Sequence, residues 1–170
     1  GSAGTGAFSH LSSELLKTLA GIDVVHIPYK GSGPAMVDVL GGRLDFYIEF
    51  FPAVQKLVDS GELRALAVTS GKRFPLRPDI PTMIEAGVPG YDASAWVGLM
   101  APAGTPKDVI DKLQQALALS LRDPAIVAKI NAMGVVPGGQ PPAEFALYMA
   151  AERDKYRKLV ESTGLSISNQ

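Results

Sequence analysis

The 170-residue sequence contains no cysteine, which excludes disulfide bonds, thiol catalysis and cysteine-rich metal sites. No apolar run approaches the roughly 18 residues of a membrane-spanning helix. The sequence also lacks an excess of positive charge, with 16 lysines and arginines against 17 aspartates and glutamates. A broad nucleic-acid surface needs clustered cations, so we expect no nucleic-acid partner. The opening residues do not show a signal-peptide pattern. A mature exported protein, whose signal peptide has been removed, lacks that pattern as well.

Hydrophobic residues make up 46% of the chain, enough for a packed core, while 18 glycines and 13 prolines indicate many turns. Short apolar segments predict strands at 23–29, 43–51, 63–70 and 93–104, with a possible last strand in 165–170. Helical spacing predicts helices at 9–20, 35–42, 52–62, 81–87, 105–123, 123–134 and 141–164. This alternation predicts an α/β fold with a mostly parallel sheet flanked by helices.

Two glycine-rich loops each precede a predicted helix. The first loop contains Gly4, Thr5 and Gly6, and the second spans residues 31–33. Unpaired N–H groups at a helix N-terminus attract anions, and glycine lets the backbone approach them closely. In a parallel sheet both loops would lie at the same edge. The pattern fits a site for a small anion, and it fits two tight strand–helix turns equally well.

Few residues offer catalytic chemistry, and no zinc-protease, nucleophile-elbow or phosphate-loop motif is present. His26 lies in an apolar segment and is expected to be structural. His10 is expected either to hydrogen-bond the first glycine loop or to contact a ligand. Glu49 is the acid most suited to partial burial, as a base, a ligand partner or a solvated edge residue. Tyr29 borders a glycine loop and is a candidate pocket wall, and Lys30 a candidate charge beside it. We expect no metal and no cofactor.

Several motifs follow one another in a characteristic order: AGTGAFSHL, HIPYKGSGPA, LGG, RPDIPTMIEAGVPGY and WVGLMAPAGTP. This series resembles the Bug receptors, the extracytoplasmic solute receptors of tripartite tricarboxylate transporters, over essentially the whole chain. The resemblance implies a type II periplasmic-binding-protein-like lobe, truncated at the N-terminus, and a periplasmic location. It also implies non-enzymatic binding of a small organic carboxylate and delivery of that solute to the membrane permease subunits.

The resemblance also implies a division of the chain. Residues 1–93 would form the second, distal ligand-binding lobe. Residues 94–170 would form a crossover strand and the C-terminal helices that complete the first lobe. Family members carry a signal peptide and an N-terminal segment before this stretch. The apolar surface left uncovered is therefore expected to pack onto residues 1–93 or to form a homodimer.

By the same resemblance, the ligand-binding residues are Gly4, Thr5, Gly6, Ser9, His10, Tyr29, Lys30, Gly31, Glu49 and Phe50. Many relatives carry an Asp-Asn pair where Glu49 and Phe50 stand, so a different solute is expected, aromatic or less charged. Two alternatives to a receptor remain open. One is an α/β enzyme that holds an anion in the glycine loops and uses Glu49 or His10 as a base. The other is a dimerising half-receptor without affinity for small ligands.

Overall fold

The computed structural model describes residues 1–165. These residues divide into two compact units. The first consists of Gly1–Ala95 together with the chain from Tyr156 onward, and the second is Trp96–Lys155. The assignment of 1–93 and 94–170 to two receptor lobes stays a prediction. Within the described residues, no helix has the length and apolar character needed to cross a membrane.

Helices account for the regular structure of the described residues. They are α1 (Phe8–Ala20), α2 (Ser32–Leu40), α3 (Phe51–Asp59), α4 (Lys107–Ser120), α5 (Pro124–Ala132) and α6 (Pro142–Thr163). Each of these six was predicted, with bounds that differ by a few residues. The ends are set locally. Gly21 adopts the left-handed conformation that closes α1 (φ 63°), and Asp123 Oδ1 accepts a hydrogen bond from Ala125 N (2.8 Å) at the start of α5.

The helix predicted at 81–87 is instead a single hydrogen-bonded turn. Thr82 and Glu85 form a capping box, in which Glu85 N donates to Thr82 Oγ1 (3.1 Å) and Thr82 N donates to Glu85 Oε2 (2.8 Å). Ala86 N donates to Thr82 O (2.9 Å), but Gly87 has a φ of 103°. That conformation ends the helical path after one turn, so the predicted helix is wrong.

The predicted parallel sheet is not formed as a sheet among residues 1–165. The segments 23–29, 43–51, 63–70 and 93–104 have no strand, and two isolated parallel bridges join Ser2 to Pro28 and Val68 to Thr82. A strand requires successive ladder bonds with a neighbour, and each bridge here covers one residue pair. The strand predictions are therefore not confirmed for these residues, and the tail predicted at 165–170 lies almost wholly outside the described part.

In the first unit, α1 packs against its surroundings through a polar face. The buried residues of α1 are Ser9, His10, Ser12, Ser13 and Glu14. Tyr91 is fully buried against this face, and its hydroxyl donates to Ser12 O (3.0 Å). Burial raises the pKa of the Tyr91 phenol far above its ordinary value, so the phenol keeps its proton as the donor.

The second unit is more open. No residue of 96–155 is fully buried, and Trp96 is 41% exposed. Trp96 meets the rings of Phe145 (centroids 5.3 Å apart) and Tyr148 (6.2 Å) on α6, both edge-on. Edge-on aromatic contacts of this kind are favourable. They anchor the segment around Trp96 to α6 within this unit.

Candidate functional site

A cleft of about 160 Å³ opens in the first unit where three helices begin. Its lining comes from the first turn of α1, the start of α2 and the segment that leads into α3. These residues are Ala3, Ala7, Phe8, Ser9, Ser32, Tyr47, Ile48, Glu49 and Phe50. Pockets for drug-sized ligands usually enclose roughly 300–1,000 Å³, so this cleft suits a molecule of few heavy atoms.

The three helices around the cleft have no side-chain caps. Their N-cap residues are Ala7, Gly31 and Phe50, and none accepts a hydrogen bond from the helix through its side chain. The first-turn N–H groups of a helix have no partner within it, and they carry a partial positive charge. Pro34 in α2 and Pro52 in α3 have no N–H, so α1 is the one of these three helices whose whole first turn carries N–H groups. Together the three helix ends favour a small anion such as a carboxylate.

The residues before the first glycine loop are hydrogen-bonded to the segment that leads into the second. Ser2 N donates to Ile27 O (3.1 Å), Tyr29 N donates to Ser2 O (3.0 Å), and Gly31 N donates to Ala3 O (3.0 Å). Gly31 has a φ of 104°, a conformation that side chains other than glycine rarely adopt. The segments that lead into α1 and α2 are therefore held in one fixed arrangement, and the backbone conformation at position 31 favours glycine.

A pair of stacked histidines supports the first glycine loop. The rings of His10 and His26 lie 3.8 Å apart between centroids, with an interplanar angle of 14°. Gly6 N donates to His10 Nδ1 (3.0 Å), and Ser2 Oγ and His26 Nε2 share a hydrogen bond (2.6 Å). Burial lowers the pKa of both histidines. Both rings are therefore held in the neutral form, which the acceptor role of His10 Nδ1 requires.

Acidic and hydroxyl side chains face one another across the cleft. Tyr47 Oη donates to Ser32 Oγ (3.1 Å), and burial is the main cause of a raised pKa at Tyr47. Glu49 Oε1 accepts a hydrogen bond from Phe50 N (2.8 Å), and the Glu49 carboxylate also interacts with the Tyr47 hydroxyl, which adds to the raised pKa of Tyr47. Phe50 is 57% exposed and stacks on Phe8, with ring centroids 5.9 Å apart. The cleft thus combines hydroxyl groups, one carboxylate and aromatic faces.

Three of the predicted ligand-binding residues, Ser9, Glu49 and Phe50, line the cleft. Ser9 Oγ also accepts a hydrogen bond from Ala3 N (3.0 Å), which ties the loop to α1. Four others lie in the hydrogen-bonded loops behind the lining: Gly4, Gly6, His10 and Gly31.

The remaining three predicted residues lie away from the lining. Thr5 and Lys30 are exposed. Tyr29 Oη donates to Asp38 Oδ2 (2.6 Å), which also pairs with Arg43, so its hydroxyl is engaged on α2. That these residues contact a ligand stays a prediction. In the part of the chain that the structure describes, no group of three or more histidine, aspartate or glutamate side chains is placed to hold a metal ion.

Six lining residues were not among the predicted site residues: Ala3, Ala7, Phe8, Ser32, Tyr47 and Ile48. Tyr47 lies two positions before Glu49, and alternate residues of an extended segment point to the same side. That spacing was the available signal for Tyr47. Phe8 is the first residue of α1, and its position in the sequence gives no comparable signal.

Comparison with known proteins gives a consistent result. The family model described as "Tripartite tricarboxylate transporter family receptor" (TctC) matches residues 1–165. The protein BugT of Bordetella pertussis is 39% identical over 95% of this chain and 50% of its own length. The chain spans about half the length of the first curated relatives it matches.

Solved structures show the same likeness. R. palustris Rpa4515 with adipate superposes with a TM-score of 0.80 at 37% identity, over 95% of this chain and 54% of that one. The periplasmic binding protein BugD gives 0.75 at 35%, over 95% and 55%. MatC from Rhodopseudomonas palustris with bound malate gives 0.74 at 28%, over 91% and 54%. The fold class is that of the TctC-type periplasmic solute-binding proteins, and the chain belongs to the tripartite tricarboxylate transporter receptor family.

Proposed function

We propose that this chain is part of a periplasmic receptor that binds a small organic carboxylate without chemical conversion. The receptor delivers its solute to the membrane permease subunits of a tripartite tricarboxylate transporter. Family membership supports this proposal, as do two similar proteins whose structures hold adipate and malate. BugD, a further similar protein, is described as a periplasmic binding protein, which supports the location.

The observation that carries this proposal is the convergence of three uncapped helix starts on one cleft. A carboxylate bound there accepts hydrogen bonds from N–H groups that otherwise lack a partner in the helix. It also lies at the favourable end of three helix dipoles. The lining has no lysine or arginine, so these helix ends have to attract the anion against the negative charge of Glu49.

The enzyme alternative receives no support from His10. Its Nδ1 already accepts the Gly6 N–H, and the side chain is 2% exposed. A general base must reach the proton it removes, either directly or through one water. His10 is therefore a support for the loop rather than a base in the cleft.

Replacing Ala7 with aspartate tests the site. Ala7 is the N-cap of α1 with extended backbone angles (φ −63°, ψ 159°), the conformation that N-cap side chains use. The new carboxylate is expected to cap α1 and stabilise the protein by about 1 kcal/mol. It is also expected to occupy the N–H groups that hold the ligand, and so to weaken carboxylate binding about tenfold, or 1.4 kcal/mol. Calorimetric titration with succinate and malate measures binding, and urea unfolding measures stability.

Ala7→Asn is the matched control, because asparagine caps the helix without adding charge. It is expected to weaken binding less than aspartate does. Unchanged carboxylate affinity in the Ala7→Asp protein, together with raised stability, would show that the α1 N-terminus does not hold the ligand.

Self-association is a second candidate property, favoured by exposed apolar side chains. Val25 is 81% exposed, Leu66 61% and Val97 93%. Association of two copies of the chain covers exposed apolar side chains such as these. Light scattering during size exclusion is expected to give a dimer mass that falls toward the monomer on dilution, and Val25→Ser is expected to shift this balance toward monomer. A monomer mass at every concentration contradicts the homodimer.

A further inference from the structure

His10 connects the first turn of α1 to the loop that precedes it. It directly follows the lining residue Ser9, but it is 2% exposed and does not itself line the cleft. Its Nδ1 accepts the Gly6 N–H (3.0 Å), while its Nε2 lies 3.9 Å from Glu14 Oε1. A neutral imidazole that accepts at Nδ1 carries its proton on Nε2, and a charged imidazole carries protons on both nitrogens. The hydrogen bond from Gly6 therefore exists only while His10 is neutral.

His26 joins the same ring stack to the other end of the loop. Its ring centroid lies 3.8 Å from that of His10, and its Nε2 shares a hydrogen bond with Ser2 Oγ (2.6 Å). Ser2 Oγ in turn accepts a hydrogen bond from Gly4 N (3.2 Å). The two stacked histidines thus hold the first glycine loop at both of its glycines, Gly4 through Ser2 and Gly6 directly.

The position of the first glycine loop sets where α1 begins. Gly6 directly precedes Ala7, the N-cap of α1, and both Ala7 and Phe8 line the cleft. Ala7 N also donates to Gly4 O (3.2 Å), so the loop and the start of α1 form one short hydrogen-bonded unit. A displacement of Gly6 therefore displaces the first-turn N–H groups of α1, which hold the carboxylate in the proposed function.

From these contacts, and on the basis of the proposed function, we infer that His10 and His26 are positioning residues for the bound carboxylate. The neutral pair keeps the start of α1 in its binding arrangement, and protonation of the pair lowers the affinity for the ligand. A proton on His10 Nδ1 turns this acceptor into a donor, so it repels the Gly6 N–H and the loop moves away from the ring. Positive charge on both rings also repels across the stack.

The surroundings of the pair set the pH at which it titrates. Burial lowers the pKa of both histidines, so the change in affinity is expected below about pH 6.5. On α1, Glu14 favours protonation of both rings and Lys17 opposes it, and the amino group of Gly1 opposes it at His26. The Tyr91 phenol packs against the same helix and keeps its proton throughout, because burial raises its pKa far above this range.

Calorimetric titration with malate and with succinate between about pH 7.5 and pH 5 tests the positioning role. The double variant His10→Asn with His26→Gln keeps oxygen acceptors near Nδ1 and Nε2 but cannot titrate. Both proteins meet the same ionisation of the ligand and of the amino group of Gly1, so the comparison isolates the histidines. We expect the affinity of the unmodified chain to fall about fivefold or more relative to that of the variant over this range. Equal pH dependence of the two proteins, or a gain in affinity of the unmodified chain in acid, overturns the positioning role.

Single variants separate positioning from general stability, and they decide the case if the double variant does not fold. His10→Ala removes the acceptor of the Gly6 N–H and is expected to weaken malate binding about tenfold at pH 7.5. His10→Asn, which keeps an oxygen acceptor near Nδ1, is expected to bind malate more tightly than His10→Ala does. Ser13→Ala is the control, because it removes another buried hydrogen bond of α1, from Ser13 Oγ to Ser9 O (2.8 Å), one helical turn further from the loop. It is expected to keep both the affinity and its pH dependence.

The outcomes distinguish this inference from the receptor function. Melting curves at each pH check that every protein is folded during the titration. If malate or succinate binds with the same pH dependence in the unmodified chain and the double variant, or if His10→Ala binds as tightly as the unmodified chain, the positioning role is wrong while the carboxylate receptor stands. If neither malate nor succinate binds to the unmodified chain at any pH, and adipate does not bind either, the receptor function and the positioning role fall together.

Discussion

Replacing Tyr91 with alanine is expected to lower the free energy of unfolding by about 3–5 kcal/mol, the usual cost of truncating a buried aromatic side chain. Tyr91 is 0% exposed, and its ring fills the space beside the serines of α1. The variant loses both the packing of the ring and the hydrogen bond to Ser12 O (3.0 Å). Urea unfolding followed by circular dichroism measures the change.

Tyr91→Phe separates the two contributions. It keeps the ring and removes the hydroxyl, so the expected loss is about 1 kcal/mol. Should the phenylalanine variant lose as much stability as the alanine variant, the hydrogen bond rather than the packing would be what holds α1 to Tyr91. An alanine variant with the stability of the unmodified chain would contradict the packing itself.

Acidification below about pH 6.5 is expected to destabilise the first unit through the histidine pair, His10 and His26. Burial lowers the pKa of both rings in the folded chain, so the unfolded chain binds more protons just below that pH. Their stabilising contribution is complete above about pH 6.5 and is lost as the pH falls toward the folded-state pKa values. Each histidine contributes a slope of up to about 1.4 kcal/mol per pH unit.

Several charges act on the pair. Glu14 favours the protonated form of both rings, whereas Lys17 opposes it. For His26, the neighbouring His10 and the chain's amino group also oppose protonation. Protonation of His10 at Nδ1 also removes the acceptor of the Gly6 N–H, so the first glycine loop loses an anchor as the pH falls.

A double variant tests the assignment. His10→Asn with His26→Gln keeps oxygen acceptors near Nδ1 and Nε2 but cannot titrate. Its stability is expected to be flatter than that of the unmodified chain between about pH 5 and 6.5. Equal slopes for the two proteins would show that groups other than the two histidines govern the acid response. Urea unfolding at half-unit steps of pH provides both curves.

The helices could be predicted because their ends depend on nearby residues. Gly21 closes α1 through its left-handed backbone, and Asp123 with Pro124 starts α5. The capping box at Thr82 and Glu85 is equally local, yet it produced only a turn because Gly87 and Pro89 follow too soon. Residues that favour a helix start therefore predicted a helix correctly where the next helix-ending residue lay more than two turns away.

The sheet could not be predicted in the same way, because a strand exists only beside another strand. Residues 23–29 have the β-branched composition of a strand, but they meet the first glycine loop at a single bridge, Ser2 with Pro28. The composition of a segment shows that it can adopt an extended conformation, whereas strand formation depends on hydrogen bonds with a neighbouring segment. Val25, 81% exposed, shows how little of this segment is covered within the described chain.

The site was partly predictable. Ser9 and Glu49 were found because a helix N-terminus and an acid in an apolar segment are visible in the sequence. Predicting Tyr47 as a site residue required knowing that the segment before α3 faces Ser32. That contact belongs to the tertiary structure and is not visible in the sequence. The stacking of His10 on His26 likewise joins residues 16 positions apart, and no local sequence pattern predicts it.

The contact between Tyr91 and Ser12 spans 79 positions of the chain. Closing so long a loop is slow compared with forming a helix, so this contact is expected to form late in folding. During synthesis α1 leaves the ribosome long before Tyr91 does, and chains grow at about 5–20 residues per second. For several seconds, therefore, α1 is present in the nascent chain without Tyr91 packed against it. Its buried face is serine-rich rather than apolar, which lowers the tendency of this intermediate to aggregate.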